Sequence, residues 1–83
     1  MSLAIKDEIE LPRMQSARLL REMRLYMGKM QGDMPDLLKD DIVLSTAVWS
    51  KFENDRGTMP DKLVADLVLA TAKALQRHVT ANT

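Results

Sequence analysis

Few side chains in this 83-residue chain could carry chemistry, and most of those are carboxylates. Asp41 and Asp66 stand at the same position of an internal repeat, a placement that paired catalytic carboxylates could use. The chain has no Cys and one histidine, His78, so neither a thiolate nor a His cluster could serve as nucleophile or metal site. The sequence therefore predicts a protein that is not an enzyme and has no cofactor or metal. Asp41 and Asp66 are instead expected to pair with arginines of the first helix.

The charge balance narrows the possible partners. Twelve basic and twelve acidic side chains cancel, which argues against non-specific binding to nucleic acid. Residues 13–29 are nevertheless mostly basic, with Arg18, Arg21 and Lys29 on one face, and residues 33–41 are mostly acidic. These segments either lie side by side or form a binding surface. No apolar run is long enough to span a membrane and no signal peptide is evident, so the expected location is cytoplasmic, without membrane contact.

An internal repeat indicates where the helices that position these residues begin. Residues 32–47, GDMPDLLKDDIVLSTA, align at an offset of 25 with residues 57–72, GTMPDKLVADLVLATA, and ten of the sixteen positions are identical. The three prolines, Pro12, Pro35 and Pro60, each follow a long apolar residue in a context typical of a first helical turn. Asp33 and Thr58 are predicted to be N-caps.

The periodicity of the apolar residues predicts helices over roughly residues 12–30, 34–55 and 59–79. The fold class is thus all-α: a three-helix antiparallel bundle in residues 12–80, preceded by a flexible N-terminal arm in residues 1–11. Helices two and three would be the two copies of the repeat. Helix two is expected to continue through Ser45, because its repeat partner Ala70 lies in the middle of helix three.

The large apolar side chains suggest a protein partner. A chain this short has little core to spare, yet 46% of its residues are hydrophobic. Methionines and aromatics are typical of adaptable binding surfaces.

The chain is expected to form a dimer or to bind a helix of another protein, with the first helix supplying much of the contact. The predicted partner-binding residues are Met23, Met27, Met30, Trp49 and Phe52. A charged substitution such as Met27→Glu is expected to lower the solution mass or release the partner before it unfolds the domain. The alternative is that these side chains form the core.

Two family resemblances give the function more concrete forms. Residues 45–80 resemble FlaF-type flagellar regulators, through a pattern consisting of Trp49, Phe52, Asp55, Met59-Pro60, Leu63, Ala65 and His78. That resemblance implies a small regulator or chaperone-like adaptor that binds a protein partner, with a role in flagellar export or regulation.

Residues 38–60 resemble the helix-turn-helix of phage-repressor-like domains. The similarity lies in an "LS…EN…P" run whose members are Ser45, Trp49, Ser50, Lys51, Phe52, Glu53, Asn54 and Pro60. This alternative implies a transcriptional regulator with a recognition helix in the major groove. The family has a small residue where Lys39 stands and Gly where Val43 stands, and its turn conflicts with a continuous helix through Ser45.

Overall fold

The computed structural model describes residues 15–55 and 58–82, and every regular element in these residues is helical. The predicted all-α class is therefore confirmed. The predicted arm at residues 1–11 and the helix start at Pro12 lie outside the described residues. In chain order the elements are α1 with its described part at 15–26, a 3₁₀ turn Gln31–Asp33, α2 Met34–Leu37, α3 Thr46–Glu53 and α4 Asp61–Ala81.

Helix α1 ends at Tyr26, two residues before Gly28, rather than near Met30 as predicted. Gly28 has a φ of 69°, in the left-handed region that glycine adopts without a steric penalty. The amide of Gly28 donates to the carbonyl of Leu25 at 3.0 Å, and that of Lys29 to the carbonyl of Arg24 at 3.1 Å. This pair of bonds is the Schellman motif, which satisfies the last carbonyls of a helix and turns the chain away.

The second predicted helix is broken, so the prediction of one helix through Ser45 is wrong. Helix α2 includes Pro35 in its first turn, as predicted, and is only four residues long. The chain stays coiled for one more turn, with the amide of Ile42 donating to the carbonyl of Leu38 at 2.9 Å. Ser45 is extended, and its side-chain oxygen accepts from the amide of Val48 at 3.2 Å, so a new helix starts at Thr46.

The two copies of the sequence repeat therefore adopt different backbones. Residues 42–45 form a non-helical link, whereas their counterparts at 67–70 lie inside the unbroken α4. Asp40 and Ser45 in the first copy favour turns and N-caps, while Ala65 and Ala70 at the same positions in the second are the strongest helix formers. At these two of the six differing positions, local preference favours a link in the first copy and a helix in the second.

The helices share one hydrophobic core. Trp49 is its largest fully buried side chain, and α2 packs directly against α3. Thr71, also fully buried, satisfies its hydroxyl by donating to the carbonyl of Leu67 at 2.7 Å. The apolar members of the core are Leu20, Met23, Met27, Met34, Leu38, Trp49, Phe52, Val64, Leu67, Ala70 and Ala74.

Candidate nucleic-acid interface

Four of the five predicted partner-binding side chains lie inside the core. Met23, Met27, Trp49 and Phe52 are each at most 7% exposed, whereas Met30 is 74% exposed. Their burial agrees with the alternative prediction, in which these side chains form the core. In this conformation they expose almost no surface to a partner. A charge at Met27 would be buried and would disrupt the core itself. The expectation that Met27→Glu releases a partner before it unfolds the domain therefore does not fit this placement.

Helices α2 and α3 are two short helices separated by residues 38–45. Residues 38–41 form a turn, with the amide of Ile42 donating to the carbonyl of Leu38, and residues 42–45 are non-helical. In a helix-turn-helix unit two packed helices are joined by a turn of three or four residues, which matches the non-helical stretch 42–45 but not the whole connection 38–45. The structure thus contains the local break that the phage-repressor resemblance requires and that the internal repeat argued against.

Helix α3 has one buried face and one exposed face. Trp49 and Phe52 point into the core and fix its orientation. The exposed side of its first two turns has small or polar side chains, the apolar Val48 and a single cation; its members are Ser45, Thr46, Ala47, Val48, Ser50 and Lys51, of which Ser50 is partly buried and the others are exposed. Such a surface can approach a nucleic-acid groove, since none of its members is aromatic or acidic.

An ion pair holds the C-terminal end of α3 against α1. Arg24 Nε donates to Glu53 Oε2 at 2.6 Å and Arg24 Nη2 to Oε1 at 3.1 Å, a two-point contact between side chains that are 12% and 4% exposed. Gln31 Nε2 donates to Oε1 at 3.3 Å, and Trp49 Nε1 also donates to Oε2. The guanidinium is further bound to the carbonyl of Lys29 at 2.9 Å. This Arg24–Glu53 cluster joins α1, the 3₁₀ turn and α3.

The cluster shifts the pKa of both charged groups. Burial by itself raises the pKa of Glu53, but hydrogen bonds from Arg24, Trp49 and Gln31, together with the charge of Arg24, outweigh it and hold the pKa below its ordinary value. The hydrogen bond to Glu53 raises the pKa of Arg24, against the opposing effect of burial. Both groups are therefore charged at neutral pH, and their attraction is part of what positions α3.

A second carboxylate shapes the loop after α3. Asp55 is 7% exposed, and its Oδ1 accepts from the amide of Thr58 at 2.8 Å, the hydroxyl of Thr58 at 3.1 Å and the amide of Met59 at 3.1 Å. Thr58 thus binds Asp55 instead of capping α4, and the N-cap residue of α4 is Pro60. Asp33 is the N-cap residue of α2 as predicted, but its carboxylate accepts from the amide of Met30 at 2.8 Å.

The acidic residues around α2 are partly neutralised by cations from other turns. Asp41 lies 3.6 Å from Arg77 and 3.9 Å from Lys73 of α4, and Asp36 lies 3.5 Å from Lys39. Asp66 lies 3.5 Å from Lys62 on its own helix. Among the described residues, neither Asp41 nor Asp66 makes the expected ion pair with an arginine of the first helix. Arg18 and Arg21 are exposed on α1.

The residues of the FlaF-like pattern have mixed surroundings. Trp49, Phe52 and Asp55 are buried and act within the fold, as described above. Leu63 is 46% exposed and Ala65 is exposed. His78 is half-buried, with its ring 6.3 Å from that of Tyr26 in an edge-on contact. These side chains do not converge on one site.

One feature of the sequence could have indicated this arrangement. Ser45 is a strong N-cap residue directly before the amphipathic segment Thr46–Glu53, which indicates a helix start. The prediction of a continuous helix relied instead on the alignment of Ser45 with Ala70. The Arg24–Glu53 contact, by contrast, joins residues 29 positions apart in the chain, and no local pattern predicts it.

Comparisons with known proteins do not assign the chain to a family. No family model, no curated protein and no solved structure matches it. Within the described residues, no group of His, Asp or Glu side chains could hold a metal ion. None of the helices in that part of the chain combines the length and apolar character needed to cross a bilayer.

Proposed function

We propose that the protein is a non-enzymatic, DNA-binding regulator that reads duplex DNA with α3. The observation that carries the proposal is the separate helix Thr46–Glu53, which follows the non-helical residues 42–45 and is capped by Ser45. An α-helix fits the major groove, and in helix-turn-helix proteins the N-terminal residues of the second helix face the base edges. The expected dimer remains part of this proposal, since such proteins commonly bind two half-sites.

The surface chemistry of α3 supports the proposal. Ser and Thr hydroxyls can donate to or accept from base edges, and the methyl group of Ala47 suits the methyl group of thymine. Lys51 is exposed and makes no ion pair with any described residue, so it is free to contact a phosphate. The pairing of Asp41 with Lys73 and Arg77 reduces the repulsion that this carboxylate would exert on DNA.

The test begins with selection of duplexes from a random-sequence pool by the purified full chain. Binding of a selected duplex is then followed by fluorescence anisotropy at about 50 and 200 mM salt. We expect salt-sensitive binding, a slope that falls by about one in Lys51→Ala, and a changed base preference in Thr46→Ala. Arg21→Ala is the matched control, because Arg21 is an exposed cation on α1.

Two results would contradict the proposal. One is the failure of the pool to yield any enriched sequence together with an absence of binding at the lower salt concentration. The other is a loss of affinity in Arg21→Ala that equals the loss in Lys51→Ala, because DNA would then be held by general charge rather than by α3.

A second candidate function is the adaptor that binds a protein partner, of which the FlaF resemblance is the flagellar version. The C-terminal part of α1 and the turn after it favour it, because Leu25, Tyr26 and Met30 are 51%, 63% and 74% exposed. Of the five predicted partner-binding residues, Met30 is the one that this surface would use. If Met30→Glu together with Tyr26→Glu abolished capture of one defined partner while duplex binding was absent in the wild type, the adaptor function would replace the DNA-binding one.

A further inference from the structure

The outer face of α4 has no partner among the described helices. Its core side is formed by Val64, Leu67, Ala70, Thr71 and Ala74. On the opposite side Ala65, Leu69 and Ala72 recur at intervals of four and three residues and are exposed, with Leu69 58% exposed near the middle of the helix. We call this strip the outer face of α4. A central Leu between two small residues allows another helix to approach closely.

The apolar surface continues from this helix onto the α2–α3 link. Ile42 and Leu69 line one shallow hollow of about 180 Å³, together with Asp41, Asp66, Ala70 and Lys73. Val43, the next residue along the chain from Ile42, is 93% exposed. Leu69 is therefore not an isolated surface leucine, since the chain segment beside it also exposes an apolar side chain.

The charges beside this strip are arranged to match a second copy of the same helix. Asp66 lies three residues before Leu69 and Lys73 four residues after it, so each is about 5 Å along the axis from a midpoint between residues 69 and 70. If two α4 helices pack antiparallel around a two-fold axis through that midpoint, Asp66 of each copy faces Lys73 of the other. A two-fold interface must be self-complementary in this way.

Asp66 and Lys73 can form ion pairs across this interface, although each already has an ion-pair partner in its own chain. Asp66 lies 3.5 Å from Lys62, and Lys73 lies 3.9 Å from Asp41, and the side chains of Asp66 and Lys73 are 49% and 53% exposed. Ion pairs that are this exposed contribute little to stability, so replacing them with pairs across an interface costs little. Ala65 and Ala72 occupy the other flank, where they would not obstruct contact.

We infer that the outer face of α4 is the homodimer interface of this protein, with a second copy packed antiparallel across Leu69. This places the interface on α4 rather than on the first helix, where the sequence suggested it. The inference does not depend on DNA binding, because it concerns the self-association of the protein without DNA.

The test measures the dissociation constant of the dimer by sedimentation over a concentration series without DNA. We expect Leu69→Lys to raise that constant by about tenfold or more, since it places two charges at the centre of the interface. Leu25→Lys is the matched control, because Leu25 is similarly exposed but lies on α1. Circular dichroism checks that each variant is folded.

Charge reversal at Asp66 and Lys73 provides a second test of the dimer. Asp66→Lys alone and Lys73→Asp alone should each weaken the dimer, because like charges then face each other twice across the axis. The double variant Asp66→Lys/Lys73→Asp should restore association. A wild-type chain that stays monomeric throughout the series, a dimer unaffected by Leu69→Lys, or a double variant that is no better than the single ones would overturn the inference.

Discussion

Replacement of Glu53 by Gln tests how α3 is held in place. The change keeps the size of the side chain but leaves the guanidinium of Arg24, which is 12% exposed, without its anion. Removing one partner of a buried ion pair typically costs about 3–5 kcal/mol. The chain should have a total stability of roughly 4–12 kcal/mol at the usual 0.05–0.15 kcal/mol per residue. The substitution should therefore remove a large part of that stability and, near the lower limit, unfold the domain.

The assay is urea denaturation followed by the fluorescence of Trp49, the single tryptophan of the chain. It lies in the core and donates to Glu53, so its emission reports on both. Arg24→Met combined with Glu53→Leu is the informative companion, because a well-packed apolar pair often stabilises as much as a buried ion pair does. We expect that double variant to regain most of the loss.

The dependence on pH has a definite sign. Because the folded-state pKa of Glu53 lies below its unfolded value, its contribution is complete above the unfolded pKa and is lost as the pH falls through the folded pKa. Wild-type stability should thus decline in acid, below about pH 4.3, and Glu53→Gln should show a smaller decline over the same interval. A cost below about 1 kcal/mol for Glu53→Gln, or an unchanged acid decline, would refute the reasoning, since the pair would then behave as an exposed one.

Three further substitutions test the local devices of the fold, each by urea denaturation. Gly28→Ala should cost about 1–2 kcal/mol, because alanine is strained at a φ of 69°, whereas Gly32→Ala, at an ordinary φ with open space around it, should cost clearly less; equal losses would contradict this. Ser45→Ala should cost about 1 kcal/mol through loss of the α3 cap, and Ser45→Asp should retain the stability; an Asp variant as weak as the Ala variant would argue against a cap. Asp55→Ala should cost about 1–3 kcal/mol, because two amides and a hydroxyl lose their common acceptor; a neutral result would show that the loop is held by other contacts.

Much of the fold could be predicted from local sequence alone. The helical class follows from the period of the apolar residues, and the starts of α2 and α4 follow from Pro35 and Pro60, because proline suits the first turn of a helix or the residue just before it. The sequence also indicates the end of α1, because Gly28 follows the last turn with periodic apolar residues. The prediction nevertheless extended the helix past Gly28. These features depend on residues within one or two turns of each other, which is why the sequence contains them.

The break before α3 and the candidate interface depended on the tertiary structure. Ten identical residues of sixteen made the segment around Ser45 look like the segment around Ala70, yet one is a link and the other is mid-helix. Local preferences at Asp40 and Ser45 permit a break. What keeps the separate α3 in place is burial of Trp49 and Phe52 and the contact of Glu53 with Arg24, 29 residues away. The same packing decided that Trp49 and Phe52 lie in the core and that small polar side chains of α3 face outward. Contacts between residues far apart in the chain depend on how the helices meet, and no short stretch of sequence encodes that.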